Sequence, residues 1–399
     1  MTYSTPTLHS SRDAALQEWE SLLSGLGKGK DAGSLASSGL STALRYRLLS
    51  ESEALTSLLS RHKPQLADSL LKELAATTYW RGWAEGRPQI YMTYVRACDD
   101  DRRRFTGTQS LATALEGRTG LVAFDEWNKE MVETGWLPQQ ARLWYASIWI
   151  FTLRLPWTLG AAHFASNLID TDAATSVLMW RSVAGLHTSP KPYVAKAAEI
   201  SKWSQGRYDL TGHLNESPVA LTGPALPSPR FQELPAQPSG ALAENYALLV
   251  TPDDLSPETS SSGELKPRVI LTTGFENLSK NVQFGPKVRG FVNSALEDTA
   301  DRLARHYDCP VESLAHSDNV GETIGERLTS QNIPHLVYHQ PSLGPWQEML
   351  SRATSKDVGL KYFPLRRGWD SKLWPSATRA LLDFHEAVKP RLLKSQGRL

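Results

Sequence analysis

Apolar residues recur every three or four positions through 13–25, 43–60, 66–85, 109–116, 124–155 and 159–170. That spacing is the period of an amphipathic helix. Strand-like alternation is nearly absent over 12–215, so this stretch is expected to be helical. After residue 244 the pattern changes. YALLVT (246–251), RVILTT (268–273), CPVESLA (309–315) and PHLVYHQ (334–340) are short apolar or β-branched runs, and helical stretches at 288–306, 320–331 and 375–393 separate them. Strands alternating with helices predict a parallel α/β sheet. Between the halves, 216–242 holds six prolines and no periodicity, as a linker or an extended wrapping loop does. A second soft spot, SPETSSSGELKP (256–267), reads as an exposed loop. The expected organisation is a helical domain over 1–215, a Pro-rich linker over 216–242 and a smaller parallel α/β domain over 243–399.

Charge adds little to this picture. Lys+Arg number 43 and Asp+Glu 42, so no global attraction to nucleic acid is expected. The last fifty residues carry eleven Lys/Arg against four Asp/Glu, which reads first as a solvated helix surface and second as a phosphate-contacting face. Two cysteines, Cys98 and Cys309, cannot ligate a cluster by themselves and fit a reducing cytosol. The N-terminus has no basic start followed by an apolar run, and no apolar stretch is long enough to span a bilayer, so a cytoplasmic protein without a membrane partner is expected. No phosphate-binding G-x-G-x-x-G or G-x-x-x-x-G-K-[ST] loop occurs.

Candidate chemistry concentrates in Gly135–Trp180. Arg142 is the lone arginine of a Trp-rich, largely apolar helix, and Asp170 and Asp172 follow the next helix. A guanidinium cannot be neutralised, and burying it is costly unless a carboxylate pairs with it. Asp170 or Asp172 is the natural partner. A purely structural ion pair is one reading, and a pair pressed against a polar heterocycle is the other. Ser37, Ser38 and Ser41 precede a helix at 42–50 and could cap it or offer donors to an anion. Of the thirteen tryptophans, ten lie before residue 204. They could fill a helical core, or relay an electron if a redox partner lies beside them.

In order along the chain stand SSGLS (37–41), GRTG (117–120), TGW (134–136), Arg142, Ala146–Ser147 and LIDTDAA (168–174), with Trp180 eight residues after Asp172. Together they resemble the flavin-binding domain of the photolyase/cryptochrome family, from about Leu35 to Arg207. TTYWRGWAEGRP (77–88) with FTLRLPW (151–157) resembles a mostly bacterial, photolyase-like branch of it. The resemblance implies a helical FAD-binding fold and assigns roles. Ser37, Ser38, Leu40 and Ser41 match the cradle of the FAD pyrophosphate. Arg142 and Asp170 match an ion pair against the isoalloxazine ring, and Asp172 the carboxylate near its N3–O4 edge. Ser176 falls at the position facing flavin N5. Gln139 stands where the family has an asparagine in the same cavity. Trp180 and Trp157 match the first two members of a tryptophan chain that photoreduces the flavin. The third would fall near Arg104–Phe105, where there is no tryptophan, so electron flow ends early or branches through Trp149 or Tyr145.

The sequence also departs from the family. Glu73 matches the glutamate that holds a lesion in dimer-splitting photolyases, but Ala76 and Ser182 occupy the positions of the two stacking tryptophans. Trp80 or Trp83 could refill the pocket from a shifted register. Pro138 and Gln139 stand where (6-4)-type enzymes have paired histidines. Gly39 and Thr77 replace phosphate-contacting arginines, with Arg45, Arg47 and Arg81 as substitutes. The family's α/β antenna domain precedes its flavin domain, whereas here the α/β pattern follows, in a permuted order with no identifiable antenna chromophore motif. The expected function is a blue-light flavoprotein with a photoreceptor or redox-signalling output to a protein partner. The alternative is a DNA photolyase acting on pyrimidine lesions from reduced FAD, with Arg102–Arg104 and Arg366–Arg367 as DNA contacts. A chain that has lost the flavin and serves as an interaction module is a third possibility.

Overall fold

A computed structural model describes residues 3–26, 28, 34–234, 245–260, 265–279, 283–355 and 358–395. The chain forms two compact units, and both are assembled from separated stretches. One comprises 1–7, 87–229 and 284–288, the other 8–86, 230–283 and 289–399. The division at 215 and 243 is therefore not the one by which the chain compacts. Sequence periodicity marks where elements change type, whereas compaction follows which apolar faces bury one another. Part of the expected linker, 235–242, lies outside the described residues, as does 261–264 of the second soft spot.

In the first unit the expected helix over 124–155 is three elements. Helix Val122–Thr134 ends at Gly135, whose φ of 78° is the left-handed conformation that glycine adopts freely. Pro138 caps the next helix, Gln139–Ser147, which runs on into a π-helical turn at Ile148–Thr152. Helices Pro88–Phe105, Gln109–Leu115, Trp157–Asn167, Ala173–Val183 and Ala197–Trp203 complete the unit among the described residues.

The second unit joins helices from the start of the chain to the sheet. Helix Arg12–Gly25 buries Trp19, Leu22 and Leu23. The expected helix at 43–60 is split into Leu40–Arg45 and Glu51–Arg61, because Arg47 takes a left-handed φ of 53° and Ser50 with Glu53 closes a capping box. Pro64–Glu85 follows, with Trp83 fully buried. The sheet has five parallel strands: β1 (Tyr246–Val250), β2 (Val269–Thr272), β3 (Val311–Ser313), β4 (His335–His339) and β5 (Lys361–Leu365), in the order β3-β2-β1-β4-β5. β1 and β2 are buried at every position, which explains their continuous apolar runs. β5 was not legible in the sequence: it contains Pro364, which a sheet tolerates at an edge, and β5 is an edge strand. Helices Pro286–Tyr307, Val320–Ser330 and Pro345–Thr354 make the crossovers after β2, β3 and β4. Helix Leu381–Ser395 packs on helix Pro64–Glu85. The fold is thus a helical assembly with a smaller parallel α/β part, as the periodicities predict.

Candidate functional site

In the first unit, Gly135 decides the geometry. A Cβ there would lie 2.5 Å from Ile169 Cδ1, so only glycine lets the segment after helix Trp157–Asn167 approach. Ile169 N–H donates to Gly135 O at 2.9 Å, which anchors the segment that carries Asp170 and Asp172. Thr134 Oγ1 accepts the Trp136 N–H at 3.1 Å and fixes the turn. Arg142, buried one turn into the next helix, donates from Nε to Leu137 O at 2.8 Å and from Nη2 to the Asp170 carboxylate at 3.0 Å. The expected ion pair forms, and both side chains are at most 10% exposed.

Asp172 accepts the Thr175 N–H at 2.7 Å and caps helix Ala173–Val183. Ser176 is buried, and its hydroxyl donates to Ala161 O at 3.0 Å. Gln139 opens its helix with an exposed side chain.

One turn beyond Ser176, Trp180 is fully buried. Its ring meets Phe164 at 5.0 Å, Trp149 at 6.0 Å and Tyr145 at 6.5 Å, all edge-on. Gly160 makes room for it, since a Cβ at 160 would sit 2.2 Å from Trp180 Cη2. The Trp180 indole nitrogen is buried with no hydrogen-bond partner among the described residues. Trp157, half-buried, faces Tyr94 at 5.7 Å and the Arg181 guanidinium at 5.9 Å. Among the described residues, Trp157 is not one of the rings whose centroid lies within 6.5 Å of that of Trp180.

In the second unit, the serine motif is a compact elbow. Ser37 Oγ accepts the Ser34 N–H at 2.8 Å and donates to Ser34 O, and Ser38 Oγ donates to Ser34 O at 3.0 Å. Gly39, with φ of 77°, turns the chain into helix Leu40–Arg45; Leu40 is fully buried, and Ser41 N–H donates to Leu35 O at 3.0 Å. Glu73 accepts the Leu35 N–H at 2.7 Å, and burial pushes its carboxyl above the ordinary range. Thr42 Oγ1 is fully buried with no hydrogen-bond partner among the described residues.

Several expected residues are occupied elsewhere. Arg45, Arg47 and Arg81, the proposed substitutes for missing phosphate contacts, are locked in a buried ion network. Arg45 pairs with Asp253 at 2.8 Å, Arg47 with Asp370 at 2.7 Å and Glu51 at 3.3 Å, and Arg81 with Glu51 at 3.2 Å. Arg367 is not a surface contact for DNA: it grips both Asp254 oxygens at 2.6 Å and is 5% exposed. His339 lies 2.9 Å from the same carboxylate. Burial alone would raise the Asp254 pKa, but Arg367 and His339 outweigh it and hold the carboxyl well below its ordinary value. Trp83 is sealed in the core and cannot offer a stacking face. Arg103 and Arg104 pair with Asp100 and Asp101 one turn back on their own helix, and Arg102 with Asp99. GRTG is a turn: the Asp125 carboxylate accepts from Thr119 N at 2.9 Å and from Gly120 N at 2.9 Å.

The ion network is what sequence reasoning missed. Asp253 and Asp254 follow β1 and His339 ends β4, so they stand at the carboxyl ends of the two strands where the strand order reverses. In open α/β sheets that crevice is the usual ligand position; here fixed charges of both signs fill it. The signal lay in the unusual density of charge in ALRYRLLSE, TPDD and RRGWD, but nothing in spacing alone pairs residues some 200 to 300 positions apart.

Residues 69–214 match the FAD binding domain of DNA photolyase. The chain is 28% identical over 158 residues to a deoxyribodipyrimidine photo-lyase of Streptomyces griseus, covering 39% of this chain and 34% of that protein. It is 28% identical over 162 residues to that of Escherichia coli K12, again 39% and 34%. It is 34% identical over 70 residues to Cryptochrome-1 of Arabidopsis thaliana, 18% of this chain and 10% of that one. The matched stretch thus spans about a third of the photo-lyases and less of the cryptochrome.

FAD is the cofactor of the matched domain, and the residues present fit it unevenly. The Arg142–Asp170 pair and the second carboxylate at Asp172 form the donor and acceptor set that a flavin's polar edge needs. The Ser37 and Ser38 hydroxyl hydrogens, by contrast, are engaged by their own loop. The expected flavin residues are also divided between the two units, with 37–41 and 73 in one and the rest in the other.

Proposed function

We propose that this chain, which carries the FAD-binding domain of the photolyase/cryptochrome family, is a blue-light flavoprotein that signals or changes redox state when its flavin is photoreduced. The observation that carries this reading is the combination in one unit of the Arg142–Asp170 pair with Trp180 sealed in an aromatic cluster. FAD, when bound, supplies a blue-absorbing oxidant. Arg142 and Asp170 would orient its polar edge, and Asp172, which caps its helix, would offer a second carboxylate to it. Trp180 would be the electron source, in a site that Phe164, Tyr145 and Trp149 close to water. In the second unit, Ser37, Ser38, Leu40 and Ser41 form the elbow that the family resemblance assigns to the pyrophosphate. The chain works in the cytoplasm, and its output partner is a protein.

Relatives named photo-lyases favour a second reading, repair of UV-damaged DNA. Against it stand Ala76 and Ser182 in place of two stacking faces, each worth roughly 1–3 kcal/mol for a base, the burial of Trp83 and the internal pairing of Arg367. The test is direct. The purified full-length protein should be yellow, and blue light with a reductant should bleach it, strongly slowed by Trp180→Phe. A colourless protein that cannot be reconstituted with FAD refutes both readings. Bleaching with loss of pyrimidine dimers from irradiated DNA would favour the second.

A further inference from the structure

We propose that Arg181 steers the tryptophan chain, so that the electron refilling Trp180 comes from Trp149 and not from Trp157. This rests on the flavin reading above and concerns only what the chain's own residues do.

The first support is contact. Trp149 touches Trp180 edge-on at 6.0 Å between ring centroids, and Trp157 is not among the ring partners of Trp180. Electron tunnelling falls steeply with separation, so this contact makes Trp149 a competent donor to Trp180.

The second support is charge. The Arg181 guanidinium lies 5.9 Å from the Trp157 ring centroid. Its residue is 7% exposed, its Nη2 donates to Leu186 O at 2.6 Å, and no carboxylate pairs with it among the described residues. The guanidinium keeps its proton. A cation over an indole attracts the neutral, electron-rich ring and repels the same ring once an electron has left. At 5.9 Å and an effective dielectric of about 20, that repulsion biases against oxidised Trp157 on the order of a hundredfold.

Trp149 has the opposite environment. Its Nε1–H donates to Pro156 O at 2.9 Å, and a carbonyl dipole on that hydrogen stabilises a positive indole. His163 stacks on it at 6.1 Å, and burial holds that imidazole at a pKa of about 4, so this ring presents no cation to Trp149. Tyr145 is a poor competitor. A phenol must shed its proton when oxidised, and the Tyr145 hydroxyl donates at 2.9 Å to Asn128 Oδ1, an amide oxygen that is not a base.

The electron count is simple. Trp180 gives one electron to the light-excited oxidised flavin. Trp149 gives one electron to Trp180 and restores it. The positive charge then rests on Trp149, whose proton stays on Nε1, until an external thiol returns one electron. Arg181 is a positioning residue here, acting through the charge it holds on Trp157.

Flash absorption of the flavin-bound full chain tests this. Trp149→Phe should cut the long-lived tryptophan radical-cation signal several-fold, whereas Trp157→Phe should leave it within about twofold while Arg181 is present. In Arg181→Gln, Trp157→Phe should begin to matter. Loss of the signal in Trp157→Phe with Arg181 intact would overturn the proposal. A flavin-free measurement guards against a misfolded Trp149 variant: azide-radical oxidation followed by peptide mass spectrometry. Arg181→Gln should raise the oxidised share of Trp157 about tenfold or more, and an unchanged share would refute the role of Arg181. If Trp180→Phe leaves bleaching intact, the flavin–tryptophan reading itself fails, which is a different outcome.

Discussion

Gly160→Ala is the sharpest perturbation of the aromatic cluster. The added methyl would lie 2.2 Å from Trp180 Cη2 and 2.4 Å from Cζ3. Carbon atoms pack at about 3.5–4.0 Å, so the indole or the helix must move by roughly 1.5 Å. The indole has nowhere to go, because Phe164, Trp149 and Tyr145 meet its edges at 5.0, 6.0 and 6.5 Å. Overpacking of this kind costs about 1–3 kcal/mol. Urea unfolding followed by circular dichroism reads the loss, and the rate of blue-light bleaching reads the displacement of Trp180. Replacing Trp180 by Phe shrinks the obstructing ring, so the double variant Gly160→Ala, Trp180→Phe should lose less than the sum of the two singles, a coupling of roughly 0.5 kcal/mol or more. A Gly160→Ala protein within about 0.5 kcal/mol of the parent, bleaching at the parent rate, would refute the packing of Trp180 against residue 160.

Two further outcomes follow from buried carboxylates. Burial pushes the Glu85 carboxyl up to about 7 from an ordinary 4.5, against the opposing pull of Arg366 and the Leu343 N–H. The neutral form is thus favoured in the folded chain, its contribution is complete below the ordinary carboxylate range, and it is lost as pH rises through about 7. Stability should fall by up to about 3 kcal/mol across that window, and Glu85→Gln should flatten the decline in thermal scans at stepped pH; an unchanged slope would exclude Glu85 as its source. Asp254→Asn should destabilise by about 3–5 kcal/mol, since it leaves the Arg367 guanidinium buried without the carboxylate that pairs with it. A loss below about 1 kcal/mol in urea unfolding would show that the network tolerates an unpaired guanidinium.

Much of the site was legible because it is local. Arg142 on an apolar helix demanded a carboxylate, Asp170 followed one helix later, and the pair forms. The Asp172 cap and the Gly135 stop also depend only on neighbours within a few residues, yet the apolar period runs on through Gly135 and the sequence reading gives Asp172 only as a candidate partner or ligand carboxylate. The order of strands and helices after 244 also follows from periodicity, apart from the proline-bearing edge strand β5 and the helices Pro345–Thr354 and Gly368–Leu373. Roles that depend on what lies opposite were read less well. Arg45, Arg47, Arg81 and Arg367 looked available for phosphate or DNA, and each is held by a carboxylate inside the second unit.

The sequence by itself determined the helical and α/β character, the flavin-domain resemblance and the ion pair at Arg142, because hydrophobic period, turn chemistry and the cost of an unpaired buried charge act over short stretches of chain. Only the tertiary structure decided that 8–86 compacts with the sheet, that the crevice beside β1 and β4 is filled by ion pairs, and that Trp180 meets Trp149 while Trp157 lies under Arg181. Those outcomes hang on contacts between residues far apart in the chain. There, one charge or ring is matched by whatever the packing of other elements brings against it, and no local rule names that partner.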